Sequence, residues 1–132
     1  MHCPDCKTSM LILEYKDIEL DFCPTCKGCW LDEGELEQML AGRTAAMQQL
    51  DWTGGVKGRR RCPRCLKPMH VVPMPNDGPE VDVCPAACGI WFDQGELRAA
   101  IRSQLADAQA SPIVETLREM FGTEEEGERN TK

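Results

Sequence analysis

The stretch "CPTCKGCWLDEGEL", Cys23 to Leu36, returns sixty-one residues later as "CPAACGIWFDQGEL", Cys84 to Leu97. This internal repeat constrains the fold more than any other feature of the 132 residues, because a period of that length makes each copy one structural unit. Copy one spans residues 1–50 and copy two residues 61–110. Both read in the same order: a Cys-Pro-x-Cys pair ("CPDC", then "CPRC"), a hairpin-like stretch, a second cysteine pair, a tryptophan and the start of a helix. Between them, residues 51–60 carry Gly54, Gly55 and Gly58 and a run of bases, which predicts a flexible linker and two independently folding copies.

Three Phe, one Tyr and three Trp cannot give two such short units a large core, so each needs a staple such as a structural metal. The nine cysteines supply it. No apolar leader precedes "MHCPDC", so a reducing cytoplasm is the expected compartment, where paired thiols serve as metal ligands or redox centres rather than as disulfides. No apolar run approaches the roughly 18–20 residues of a membrane span, and a soluble protein is expected.

Four thiolates at the tips of two chain reversals form the tetrahedral sulfur cage that zinc accepts with no open position. Copy one offers Cys3, Cys6, Cys23 and Cys26, and copy two Cys62, Cys65, Cys84 and Cys88, for two zinc ions per chain. The formal charge is −7, and each four-thiolate zinc site would add about −2. The second pair of copy two, "CPAAC", has one residue more than its counterpart. Since Trp30 and Trp91 each follow the first cysteine of the pair by seven residues, Cys88 aligns with Lys27 and not with Cys26. Cys29 competes with Cys26 as a ligand, but the Cys-Pro start shared by Cys3, Cys23, Cys62 and Cys84 favours Cys23 with Cys26. Cys29 then reads as a small buried apolar residue.

The strand leading into each second pair alternates acid and apolar, "ELDFC" and "EVDVC", placing Leu20 with Phe22 and Val81 with Val83 on one face. Asn76-Asp77-Gly78 signals the reversal in copy two. Asp32 and Glu35, like Asp93 and Glu96, have the spacing of a capping box. Beyond them Leu36, Met39, Leu40, Met47 and Leu50 share one helix face, as do Leu97, Ala100, Ile101, Leu105 and Ala108. A third helix is expected over 111–122, with Ser111 as cap and Pro112 in its first turn, and a disordered acidic tail over 123–132. The fold class is thus a small metal-stabilised α+β protein: two tandem zinc ribbons, each followed by an amphipathic helix, then the third helix and tail.

The pattern "CPxC…hDxCPxCxGxWLDxGEL" resembles the transcription factor IIB type zinc-ribbon family of small bacterial proteins, in two tandem copies over about residues 1–40 and 61–100. The resemblance implies Cys3, Cys6, Cys23, Cys26, Cys62, Cys65 and Cys84 as zinc ligands, and Cys88 with them although "CPAAC" departs from the pattern.

Several residues admit a sharper use and a plainer one. Trp30 and Trp91 could form a recognition platform, but a tryptophan between a knuckle and a helix is expected to pack over the sulfurs. The capping spacing accounts for Glu35 and Glu96 without catalysis. With four thiolates per site, neither His2 nor His70 is needed as a ligand, and His70 reads as a strand-surface residue. Lys57 with Arg59, Arg60 and Arg61 is the one basic cluster, and a pI near 4.8 argues against more than local, weak nucleic-acid contact. A ribbon looks too thin to bury three helical stripes, so the helices are expected to pack between the copies, in a homodimer or on a partner. The expected function is a non-enzymatic zinc-binding scaffold for macromolecular, mainly protein, interaction of a regulatory or transcription-related kind. The alternatives are nucleic-acid binding through Arg59–Arg61 and rubredoxin-like electron transfer by iron. No small-molecule substrate and no membrane is expected.

Overall fold

The computed structural model of the chain describes residues 1–40 and 50–121. Copy one forms β1 (Leu11–Tyr15), β2 (Ile18–Phe22), β3 (Cys29–Asp32) and the short helix α1 (Glu35–Met39). After it come β4 (Val56–Arg61), β5 (Pro68–Pro73), β6 (Glu80–Val83), β7 (Gly89–Phe92), α2 (Glu96–Gln104) and α3 (Asp107–Phe121). The two hairpins are those expected from the alternating patterns. The third strand of each copy, "CWLD" and "GIWF", was not anticipated. Both lack alternation because β7 is buried throughout and β3 is buried at all but Asp32, as strands in the middle of a sheet covered on both faces must be.

β3 and β7 join the copies. They pair antiparallel with Trp30 opposite Trp91 and Leu31 opposite Ile90, giving one seven-stranded sheet in the order β1-β2-β3-β7-β6-β5-β4. The expectation of two independent units is therefore corrected, and so is the flexible linker. Residues 56–60 lie in β4, which pairs with β5 through Val56–Val71, Lys57–His70 and Arg61–Pro68 around a bulge. Glycine and arginine are poor strand formers, and only the non-local partner β5 holds them extended.

One face of the sheet carries the helices. Leu20, Phe22, Leu31, Val81, Val83 and Phe92 meet Leu36, Met39 and Leu40 of α1, Leu97 and Ile101 of α2, and Ile113, Val114 and Leu117 of α3 in one continuous core. Among the described residues the helical stripes, apart from exposed Ala108 and half-buried Met120, are thus satisfied within the chain, because two ribbons side by side make a sheet broad enough to bury them. α3 begins at Asp107, four residues before the expected Ser111, so Pro112 lies inside the helix. Its last residue, Phe121, stacks on Phe22 with centroids 4.7 Å apart and planes 12° from parallel, which ties the C-terminal helix to copy one. Met47, most of the expected first helix beyond Leu40, and the expected tail over 123–132 fall outside the described residues.

Candidate metal centres

The opposite face of the sheet holds the cysteines. The sulfurs of Cys3, Cys6, Cys23 and Cys26 lie within 4.8 Å of one another, and so do those of Cys62, Cys65, Cys84 and Cys88. The Sγ atoms of Cys3 and Cys26 are 3.7 Å apart and those of Cys65 and Cys84 3.6 Å. A tetrahedron with metal–sulfur bonds of about 2.3 Å has edges of about 3.8 Å, so zinc fits both cages. Cys29 is buried in the helix-side core and belongs to neither group, as does neither histidine. His70 is half-buried on β5, with Nδ1 2.9 Å from the carbonyl of Gly54.

Four knuckles build the cages, and all share one closing bond: the first cysteine donates its N–H to the carbonyl five residues on, Cys3 to Thr8, Cys23 to Gly28, Cys62 to Lys67 and Cys84 to Gly89. The CPAAC knuckle therefore contains no extra residue. What differs is the order inside the loop. In three knuckles the ligand comes fourth and the left-handed residue next (Lys7, Lys27, Leu66), whereas in the fourth Ala87 takes the left-handed turn at φ 62° and Cys88 follows it. Exchanging the two functions, as Ala87→Cys with Cys88→Lys, should restore the copy-one order and leave the zinc content unchanged. Native mass spectrometry would show any loss of the second ion.

Backbone N–H groups point at the ligand sulfurs, from Asp5 and Cys6 to Cys3, Arg64 and Cys65 to Cys62, and Ala86 to Cys84, at 3.2–3.4 Å. Such donors favour thiolates. Burial works against them, pushing Cys6 up to about 11 and Cys88 up to about 12 and raising Cys26 and Cys62. Burial also opposes ionisation of Cys23, yet hydrogen bonds from the Cys26 and Thr25 backbone outweigh it and bring that thiol down to about 6. A dication between four such groups displaces their protons, and binding releases them to solvent.

The tryptophans seal the cages. Trp30 and Trp91 are fully buried with Cys3, Cys23, Cys62, Cys84, Met10 and Met69, so neither is a recognition platform. Each reaches into the other copy. A β-carbon on Gly28 would collide with the Trp91 ring, and one on Gly89 would sit 2.6 Å from Cζ2 of Trp30. Neither glycine was read as functional, although the matching Gly-x-Trp spacing in the two copies was visible.

The capping boxes are half used. Glu35 and Glu96 accept the N–H of Asp32 and Asp93 at 2.7 and 2.8 Å, as the spacing predicts. The aspartate side chains do not cap. They accept the indole N–H of Trp30 and Trp91 instead, at 2.9 and 3.2 Å, while Gly34 and Gly95 hold the N-cap positions. Each aspartate also takes an arginine. Arg64 grips Asp32 with Nε and Nη2 at 2.6 and 2.7 Å, a contact between the copies that holds the Asp32 carboxyl below its usual range. Arg60 lies 3.0 Å from Asp93, 3.1 Å from Asp82 and 3.5 Å from Asp5. Asp5 occupies in copy one the knuckle position that Arg64 fills in copy two, so Arg60 bridges acids that would otherwise repel. Sequence reading missed these roles because the partners are distant along the chain.

Glu96 is pushed up to about 7 from an ordinary 4.5, first by burial and then by nearby Asp93 and Asp82. A carboxyl raised on folding binds its proton more tightly in the native state, so its contribution is full below about pH 4.5 and is lost as pH rises through 7. Glu96→Gln, which keeps the acceptor for Asp93, should raise the melting temperature by a few degrees at pH 8 and by less at pH 6. Thermal scans in excess zinc check the difference.

Two closed four-sulfur cages on one antiparallel sheet define a structural zinc protein, a small metal-stabilised α+β fold holding two zinc ions. The sequence match covers residues 2–42 and 61–103, more than half of the chain, and the protein belongs to the transcription factor zinc-finger family, the zinc ribbon of the TFIIB type, with two tandem copies. No curated protein and no solved structure matches the chain. Among the described residues no helix is long and apolar enough to cross a membrane.

Proposed function

We propose that the protein is a non-enzymatic scaffold, in which two zinc ions build a rigid sheet for docking a protein partner in a regulatory or transcription-related setting. Cys3, Cys6, Cys23 and Cys26 hold one ion and Cys62, Cys65, Cys84 and Cys88 the other. The observation that carries this reading is the closure of both sites. Four sulfurs fill a tetrahedral ion, and the tryptophans beside them are fully buried, so the zinc supports structure and has no position to offer a substrate. What remains outside are the margins of the sheet, where Leu11, Ile12 and Val56 are exposed, and a knuckle tip, where Leu66 is.

The helices do not serve as the docking surface. Leu36, Leu40, Leu97 and Ile101 are core residues, and polar replacements there would unfold the chain rather than release a partner. The nucleic-acid reading loses Arg60, which is committed to three carboxylates, while Lys57, Arg59 and Arg61 remain exposed beside an acidic chain. The test is cross-linked capture from cell extract by the zinc-loaded chain, with and without nuclease. Nuclease-resistant capture that disappears with the chelated chain is the expected result. Capture abolished by nuclease, with a steeply salt-dependent gel shift, would contradict it.

A further inference from the structure

The duplication makes the two outer margins of the sheet comparable residue by residue. Counting from Cys3 and Cys62, β1 corresponds to β5, Ile12 to Val71, and Leu11 to His70. The second strands align on Cys23 and Cys84, so Asp21 corresponds to Asp82. The pairings agree, with Ile12 opposite Asp21 and Val71 opposite Asp82. In copy two this margin is covered by β4, "VKGRRR", paired antiparallel to β5. Its backbone crosses Val71, where a β-carbon on Gly58 would sit 3.2 Å from the valine methyl, and its Arg60 meets Asp82 at 3.1 Å. Val71 is half-buried in consequence.

In copy one Met1 and His2 lie at the same place, with a single bridge from His2 to Ser9 that corresponds to Arg61 opposite Pro68 and with the N–H of Met10 donating to the carbonyl of Met1 at 3.1 Å. Among the described residues β1 pairs with no strand but β2, and Ile12 is 65% and Leu11 52% exposed. Among the described residues Asp21 has the N-terminal ammonium and Arg64 in its surroundings but no ion pair at contact distance, whereas its counterpart Asp82 has one with Arg60. β1 also lacks the devices that usually protect a sheet margin: "LILEY" has no proline, no bulge and one charge. β4, by contrast, has three arginines, a lysine and a bulge.

We infer that the free edge of β1 is a docking site for an extended, basic segment of a partner protein, which adds as an eighth strand, covers Leu11 and Ile12 and pairs an arginine with Asp21 as Arg60 pairs with Asp82. Main-chain hydrogen bonds would give affinity and the acid at Asp21 would select for basic sequence. The site gives the scaffold reading a specific surface and rests on that reading for its biological use, but its binding can be measured without it.

The probe is a peptide with the sequence of residues 55–61, "GVKGRRR", titrated into the zinc-loaded full chain and followed by amide chemical shifts. Shifts confined to Leu11–Tyr15 and to the facing Asp21 region are expected. Asp21→Asn should weaken binding about tenfold, the loss of one charge-assisted pair, and Ile12→Lys should weaken it comparably while leaving the spectrum elsewhere unchanged. A peptide with glutamates in place of its arginines should not bind. Shifts away from β1, or equal affinity for the Asp21→Asn chain, would overturn the proposal. So would a concentration-dependent dimer that Ile12→Lys dissolves, since the occupant would then be a second copy. If Ile12→Lys leaves nuclease-resistant capture intact, the scaffold reading stands and the β1 site falls.

Discussion

Stripping the zinc with a strong chelator will unfold both halves of the chain in one transition. The reason lies in the shared sheet. Structural zinc bound by four cysteines contributes on the order of 10 kcal/mol or more of apparent free energy per site, and none of it survives removal of the ion. The copies are joined strand to strand through β3 and β7, and the backbone N–H of Glu33 donates to the carbonyl of Cys88 at 2.9 Å, so neither half keeps its neighbours when the other is lost. Cys62→Ser should therefore do more than delete one site. The ion remaining at Cys3, Cys6, Cys23 and Cys26 should leave at a lower chelator concentration than it does in the wild type. A zinc-release titration monitored with a chromophoric chelator and by circular dichroism checks both statements. Two separate transitions, or an undisturbed first site in Cys62→Ser, would show that the halves are independent.

The second large effect is expected where the copies interlock. Trp30 and Trp91 are fully buried between the cages and lean on the glycine of the opposite copy. Truncating either to alanine should cost about 3–5 kcal/mol, the usual loss for a buried tryptophan or phenylalanine. Adding a single methyl group at Gly28 or Gly89 should cost about 1–3 kcal/mol by overpacking, since the neighbours are a rigid ring and a strand carbonyl, of Phe92 and of Leu31 respectively, rather than the end of a flexible chain. Trp91→Phe should recover part of the loss of Gly28→Ala, because a smaller ring opens the space that the new methyl needs. Denaturant unfolding of the zinc-loaded variants measures each value, and additive losses in that double variant would argue against the contact.

Much of the site was legible because its signals are local. Cysteine pairs at the spacing of a knuckle, a glutamate three residues after an aspartate, and alternation before Cys23 and Cys84 depend only on near neighbours, and each lies where its pattern put it. The same locality explains the misreadings. Residues 56–60, one glycine and three bases after a valine, have no alternating apolar pattern and become a strand beside β5. The alignment of Cys88 with Lys27, read from the unchanged spacing to the tryptophan, agrees with the closing hydrogen bond from Cys84 to Gly89, which spans the same five residues as Cys23 to Gly28. Asp32 and Asp93 looked like caps because a pattern cannot show a competing donor, and the indole N–H of a tryptophan two residues earlier takes the carboxylate. The pairing of β3 with β7 left no signal beyond two short apolar runs, and from it followed the burial of Leu36, Met39 and Leu40, of Leu97, Ala100, Ile101 and Leu105, and of Ile113, Val114 and Leu117 within one chain.

The metal count per chain is the most direct test of two closed four-thiolate cages. Native mass spectrometry of the intact protein should show the chain carrying two zinc ions, and Cys88→Ala, supplied with two zinc ions per chain, should carry no more than one. A wild-type chain with a single ion or with iron, or a Cys88→Ala chain that still holds two zinc ions as tightly, would contradict the account.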